Sequence, residues 1–356
     1  MLEFVIRRYG LKRDELHMSP LGNGLINSTW KLSVDGKDYV LQKVNDEVFK
    51  KPEDIDKNLN LIAAHLQQYY PQYNLLQPIF ALDGSTLVQK SEHEYFRMFP
   101  FIPDSHSKDV VETPEQAFQA AARFGKFTNM LAGISVNELK ITIPDFHNLS
   151  LRYQQFLAAL TTGDRSRIKE ADELIQFIKL NDDIVREFEK LKNGAGFKVR
   201  ATHHDTKISN VLFDSYNNGI CVIDLDTVMP GYFISDLGDM MRTYLSPVSE
   251  EESDFSLIEV RDEFYEAIVS GYFNEMKNEL SAEEKKYFFY SGTFMIYMQA
   301  IRFLTDYLNN DVYYGRRYPQ HNFVRAKNQI VLLQRLQEKK ELFESMLNKA
   351  VDMSEA

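Results

Sequence analysis

The sequence predicts an α+β protein of two lobes, a small antiparallel-sheet lobe in residues 1–103 and a larger, mainly helical lobe in 104–356. Three observations carry this. Between residues 16 and 101, short β-branched and aromatic runs are separated by the tight-turn signals Asp35-Gly36 and Asp83-Gly84. From Thr113 onward, apolar residues recur mostly at helical spacing. The exception is residues 201–239, where two short apolar strands alternate with loops dense in Asp, Asn and His.

Taken in order, Leu2 to Tyr9 reads as a short helix, and Leu16 to Leu21 leads into Gly22-Asn23-Gly24. Two glycines around Asn23 permit a tight turn whose backbone N–H groups approach an anion closely, although a plain hairpin turn fits equally. The next strand places Trp30, Leu32 and Val34 on one face, Lys31 and Ser33 on the other; Tyr39 to Val44 returns antiparallel and carries Lys43. Pro52 opens a helix whose stripe is Ile55, Leu59, Ile62 and Leu66. Strands follow at Gln77–Leu82, Thr86–Lys90 and Tyr95–Phe101, and Pro100 and Pro103 end the last. The lobe boundary falls there.

In the second lobe, Thr113-Pro114-Glu115-Gln116 is a capping box opening a helix to about Ala132. Further helices are predicted after Arg152, at 165–180, at 182–192, at about 257–277, after the capping box at Ser281, and across the aromatic, Met-rich run Phe289 to Asn309. Arg302 and Asp306 lie four apart on that helix, either as a surface ion pair or as the polar wall of a substrate pocket with Tyr314.

Residues 201–239 carry the chemistry. His203, Asp205 and Asn210 match the spacing His-x-Asp-x-x-x-x-Asn, and Asp224 follows at the end of the apolar run Ile220 to Ile223. This pattern suits phosphoryl transfer: Asp205 as base for an attacking hydroxyl, Asn210 and Asp224 as oxygen ligands for Mg2+. A base must reach the hydroxyl while the metal that neutralises the phosphates stands several ångströms away, and one short loop with its hairpin supplies both. The competing explanation, ordinary turn and capping residues, accounts for one such residue more easily than for the whole set. On the same template Lys43, about twenty residues after the glycine loop, contacts phosphate. Its helix partner is left unassigned, since Glu53 sits in the first turn and the middle offers Asp56 and Asn58. ATP would be held by Gly22, Asn23, Gly24, Lys43 and backbone groups of Phe99, Phe101 and Ile102 at the junction of the lobes.

With 44% hydrophobic residues, the 356-residue chain can bury a large core. A net charge of −11 argues against a nucleic-acid partner. The one cysteine, Cys221, lies in an apolar strand, and no run of 18 uncharged apolar residues and no leader pattern are visible, so a soluble, cytoplasmic protein is expected.

The loop His203-His-Asp-Thr-Lys-Ile-Ser-Asn210 resembles that of the protein-kinase-like superfamily, but Asp224 is followed by Leu-Asp226 rather than Phe-Gly. Asp236 comes too soon for a polypeptide-docking segment, a feature similar to the aminoglycoside/choline phosphotransferase branch. Within that branch the chain resembles the N-acetylhexosamine 1-kinase family. The similar segments are Leu21 to Thr29, Leu41 to Asn45, Phe146-His147, 202 to 230, Asp236 to Asp239, and Arg302 to Tyr307. The resemblance implies transfer of the ATP γ-phosphate to the anomeric hydroxyl of N-acetylglucosamine or N-acetylgalactosamine. Lys207 would contact a phosphate, His147, Arg302, Asp306 and Tyr314 would meet the sugar, and His203 and Asp236 would support the loop, Asp236 by bonding its backbone. Two alternatives stay open: a choline- or aminoglycoside-type kinase, against which Arg302 and Arg325 speak, and a non-catalytic nucleotide-binding module, which an intact Lys43, Asp205, Asn210 and Asp224 set disfavours.

Overall fold

A computed structural model describes residues 3–11, 16–22 and 26–355, the stretch 348–355 by backbone alone. Helix α1 (Glu3–Arg8) precedes a sheet of strands β1 (His17–Pro20), β2 (Ser28–Val34), β3 (Lys37–Val44), β4 (Val88–Ser91) and β5 (Glu94–Pro100). They are antiparallel in the order β1-β2-β3-β5-β4. Asp35 (φ 51°) and Gly36 (φ 70°) are both left-handed, as the tight β2–β3 hairpin requires. Gln77–Leu82, expected as a strand, is not one: it runs beside β5 through the Ile79 N–H to Met98 carbonyl bond (2.7 Å), and Pro78 has no N–H to extend the ladder.

The two faces of this sheet bury different things. Leu32, Leu41, Phe96 and Met98 pack with Val5 and Tyr9 in a small core under α1. Val40 and Phe99 lie on the opposite face, against the main core. Because side chains alternate along a strand, Gln42 and Arg97 share the second face and Lys43 the first. Helix α2 (Pro52–Tyr69), with proline in its first turn, buries Ile55, Leu59, Ile62 and Leu66 as the stripe predicts. Its buried Asn58 donates to the carbonyls of Lys140 (2.9 Å) and Val228 (3.0 Å) and accepts from the Lys140 N–H (2.7 Å), fastening the small lobe to the large one.

The large lobe comprises α3 (Pro114–Met130), α4 (Leu149–Thr162), α5 (Arg165–Glu170), α6 (Asp172–Leu180) and α7 (Asp183–Asn193), then the paired strands β6 (Arg200–Thr202), β7 (Val211–Phe213), β8 (Gly219–Val222) and β9 (Met229–Gly231). Helices α8 (Phe233–Tyr244), α9 (Asp262–Met276), α10 (Ala282–Lys285), α11 (Phe288–Leu308), α12 (His321–Glu338) and α13 (Lys340–Glu355) complete it. Thr113 caps α3 by accepting from the Gln116 N–H, and the Ser281–Glu284 capping box forms, though α10 is a single turn. Helices α3 and α9 cross in backbone contact: a Cβ at Gly271 would lie 2.5 Å from the Phe118 carbonyl oxygen. Helix α11 is the buried axis of the lobe, apolar almost all round. No helix among the described residues is long and apolar enough to cross a membrane.

Candidate active site

Strand β6 pairs with β9 and β7 with β8, and these ladders frame the loop 203–210 and the turn 223–227. The Ile223 N–H donates to the Asn210 carbonyl (2.9 Å), so Asn210 and Asp224 stand side by side at the end of the hairpin. His204 (φ 67°) and Asp224 (φ 57°) are left-handed, a conformation that costs about 1–2 kcal/mol without compensation. Compensation for His204 is visible. Buried Asp236 accepts from the N–H groups of His203 (3.1 Å) and His204 (2.7 Å), and Asp239 accepts from that of Thr206 (2.9 Å). The Thr227 hydroxyl donates to the His203 carbonyl (2.6 Å). Gly231 makes room, since a Cβ there would lie 2.4 Å from the His204 ring. Buried His203 bonds the Ile223 carbonyl through Nε2 (3.1 Å) and accepts the Asp205 N–H at Nδ1 (3.3 Å), a neutral tautomer fixed by its surroundings.

Both oxygens of Asp205 are engaged. Lys207 Nζ lies 3.1 Å from Oδ1, and Asn210 Nδ2 donates to Oδ2 (3.1 Å) and to the Asp205 carbonyl (2.9 Å). Burial pushes this carboxyl up, but Lys207, His203 and Asn210 outweigh it and hold Asp205 below its ordinary value. Asp224 behaves oppositely. It is open to solvent yet enclosed by the cleft walls, and that crowding, with the charges of Asp226 and Asp205, pushes it up to about 7. Three carboxylates thus converge where the local cations, Arg97 and Lys207, leave Asp224 undercompensated. Asn210 Oδ1 and the Asp224 carboxylate accept no hydrogen bond among the described residues.

The small lobe supplies the roof. Gly22 is left-handed (φ 72°) at the end of β1, whereas Asn23 and Gly24 lie outside the described residues. At the lobe junction the Phe101 N–H is taken by the Asp38 carbonyl (3.1 Å) and the Ile102 carbonyl by Ser105 Oγ (2.7 Å); Phe99 is buried. Lys43, expected on phosphate, is turned away: it stands opposite Phe96 on the outer face, 3.6 Å from Glu94 Oε1. Neither Asp56 nor Asn58 of α2 is its partner; Asp56 accepts from Thr86 (2.5 Å) and Asn60 (3.1 Å). The face toward the cleft carries Gln42 and Arg97. Arg97 forms an ion pair with Asp226 (2.5 Å), both 2% exposed, and Asn27 Nδ2 donates to the other Asp226 oxygen (2.7 Å). Sequence reasoning noted Asp226 without a role and missed Gln42, Arg97 and Asn27. Alternation about the buried Leu41 separates Gln42 from Lys43 but leaves open which of them meets the cleft.

Beside the loop, reached through His204, lies a polar wall. His147 stacks on Phe146 (4.4 Å) and meets His204 Nδ1-to-Nδ1 at 3.2 Å. Burial holds His147 well below its usual value, as do His204, Arg302, Arg242 and Arg152, and burial holds His204 near 4, so both rings are neutral. Arg302 bonds Gln299 (3.2 Å) and lies over the rings of Phe146 (5.7 Å), Tyr313 (5.8 Å) and Tyr314 (5.4 Å); Gln299 bonds the Tyr314 hydroxyl (3.2 Å). Arg302 and Asp306 do not pair, and Asp306 is not part of the wall. It is buried, accepting from the N–H groups of Tyr313 (2.7 Å) and Tyr314 (2.9 Å) and from Asn322 (3.1 Å), and so holds the loop that carries both tyrosines. Arg242 and Arg325 are neutralised by Glu250, Arg242 also by Asp239. Arg152 and Arg302 have no carboxylate partner among the described residues.

A bilobal fold with this loop, hairpin and cleft is that of a phosphotransferase. The model of the phosphotransferase enzyme family matches residues 17–280, more than half of the chain, and the chain belongs to that family. Solved structures agree on the fold. A microcompartment-associated aminopropanol kinase aligns with a TM-score of 0.67 at 14% identity, over 96% of this chain and 97% of that one. An aminoglycoside phosphotransferase from Alicyclobacillus acidocaldarius gives 0.61 at 12% over 98% and 95%. Choline kinase from Cryptosporidium parvum gives 0.56 at 13% over 97% of both.

Proposed function

We propose that this phosphotransferase is an ATP- and magnesium-dependent kinase of a small neutral hydroxyl compound, with the anomeric hydroxyl of an N-acetylhexosamine as acceptor. The observation that carries the reading is the meeting of Asp205, Asn210 and Asp224 at one point. Asp205 accepts the acceptor's proton, and it need not be strongly basic, because phosphoryl transfer through a loose transition state depends on positioning and charge neutralisation. In this reading Lys207, paired with Asp205, meets the transferred phosphoryl group.

Magnesium fits the residues present. It favours one or two protein oxygens plus phosphates and water over a closed protein cage. Among the described residues no group of three or more His, Cys, Asp or Glu forms such a cage, whereas Asn210 Oδ1 and Asp224 offer two unsatisfied oxygens. When bound, the ion neutralises phosphate charge.

The acceptor class is argued from charge. The solved relatives include kinases of aminopropanol and choline, and a cationic acceptor is recognised by carboxylates or an open aromatic cage. Here the wall beside His204 carries Arg152 and Arg302, neither in an ion pair among the described residues although Asp145 lies near Arg152, and the aromatic faces of Tyr313 and Tyr314 lie against Arg302. Guanidiniums, the His147 imidazole and tyrosine hydroxyls suit the hydroxyls and acetamido oxygen of an amino-acylated sugar. An ADP-release assay over N-acetylglucosamine, N-acetylgalactosamine, choline, ethanolamine and aminoglycosides tests this. Turnover confined to the N-acetylated sugars is expected, and turnover confined to the cations contradicts the acceptor assignment.

A further inference from the structure

A half-buried polar network centred on the buried Arg97–Asp226 pair lines the cleft beside Asp224. Asn45 N–H donates to Asn27 Oδ1 (3.0 Å), and Asn27 Nδ2 to Asp226 Oδ2 (2.7 Å). Arg97 pairs with Asp226 Oδ1 (2.5 Å), Arg97 Nε donates to Gln42 Oε1 (3.0 Å), and Gln42 Nε2 to Thr29 (3.3 Å). It therefore joins β2, β3, β5 and the loop before β2 to the turn Leu225–Thr227 of the large lobe. Arg97 and Asp226 are each 2% exposed and are compensated mainly by one another, with Asp224 and Asp56 also in the field of Arg97. A buried pair of this kind is no cheap source of stability, since desolvating both ions offsets their attraction. Its retention in a cleft wall calls for another account.

The geometry provides one. In related phosphotransfer folds a lysine on the third strand pairs with a helix carboxylate beside the nucleotide. In this chain the cleft-facing position of β3 is Gln42, the neighbouring Lys43 is on the outer face with Glu94, and the buried polar residue of α2, Asn58, bonds backbone groups of the large lobe. We propose that Arg97 and Asp226 replace that pair, with Arg97 a positioning residue. By clamping Asp226 from the sheet, Arg97 fixes the turn that presents Asp224, two residues earlier, and ties it to the loop between β1 and β2. The inference rests on the phosphotransfer reading of Asp205, Asn210 and Asp224.

The test uses the full chain and four forms: wild type, Lys43→Met, the double variant Arg97→Met/Asp226→Leu, and Arg97→Gln/Asp226→Asn. Removing both charges leaves no orphaned ion, so the doubles are expected to melt cooperatively. Calorimetric titration with AMP-PNP and magnesium, and KM values for ATP and for the acceptor, are then compared. The expected result is nucleotide binding within about threefold of wild type for Lys43→Met. For the doubles, nucleotide Kd and ATP KM rise at least about tenfold, kcat falls, and acceptor KM is unchanged. A role in bulk stability alone would lower melting temperature and leave both KM values in place. Nucleotide binding by a folded double variant within threefold of wild type overturns the proposal, as does a tenfold loss in Lys43→Met. If the Met/Leu variant does not fold, the Gln/Asn variant decides by the same criteria. Failure of the wild-type chain to bind nucleotide overturns the phosphotransfer reading and this inference together.

Discussion

Asn210 donates its side-chain amide to Asp205 twice, at the backbone carbonyl (2.9 Å) and at Oδ2 (3.1 Å). The amide thereby aims the carboxylate, and its own carbonyl oxygen, which accepts no hydrogen bond among the described residues, is the one proposed to meet magnesium. On this proposal one residue has two tasks. Replacing it with alanine should remove both, lowering kcat by about a hundredfold and raising the magnesium concentration for half-maximal rate. A magnesium titration of turnover checks this, and an unchanged half-saturation point speaks against Asn210 as a ligand.

Asp224 makes the metal-free protein pH-sensitive. Its ordinary value of 3.8 is pushed up to about 7, so the folded state holds this proton more tightly than the unfolded chain does. The contribution to stability is therefore complete below about pH 4 and is lost as pH rises through 7. Asp224→Asn cannot lose it. In chelator, the melting temperature of wild type should fall relative to Asp224→Asn between about pH 4 and pH 7, then run parallel. Parallel curves throughout would show that Asp224 is not crowded as described. The same variant should weaken nucleotide binding in magnesium.

How far the sequence went is instructive at three residues. The fold was legible because its signals are local: Asp35-Gly36 is a turn in any context, and the stripe of α2 and the Thr113 and Ser281 caps depend only on near neighbours. Lys43 was misplaced because both faces of the sheet are buried, one under α1 and one against the large lobe, so alternation separates the faces without saying which meets the cleft. Charge alone then favoured the wrong neighbour of Gln42. Arg97, in a strand of aromatics, carries no local mark of its partner Asp226, which lies far along the chain. Asp306 was weighed by its i,i+4 relation to Arg302, but it turns toward the backbone of the chain leaving the helix, a contact set by the loop's path.

Asp306→Ala should strip the loop of its anchor. The Tyr313 and Tyr314 N–H groups lose their acceptor, which costs about 1–3 kcal/mol for each donor left unmatched, whereas the Asn322 amide keeps Asp311 and the Gly315 carbonyl. The melting temperature falls and acceptor KM rises, while nucleotide affinity stays near wild type. Equal loss of nucleotide affinity would contradict a role confined to the acceptor side.

Arg302→Met separates the acceptor classes. With a neutral N-acetylated sugar, acceptor KM should rise about tenfold or more with ATP KM unchanged, consistent with about 1.4 kcal/mol or more of lost binding. With a cationic acceptor the same change removes a repelling charge and lowers KM. The sign of the effect decides.

The most direct test of the shared geometry of Asp205, Asn210 and Asp224 is Asp205→Asn. It is measured by ADP release with a saturating acceptor and by titration with magnesium and AMP-PNP on the same preparation. The account predicts turnover reduced by at least about a hundredfold with nucleotide affinity nearly unchanged. Turnover within a few-fold of wild type would contradict it, as would nucleotide binding lost in parallel with turnover.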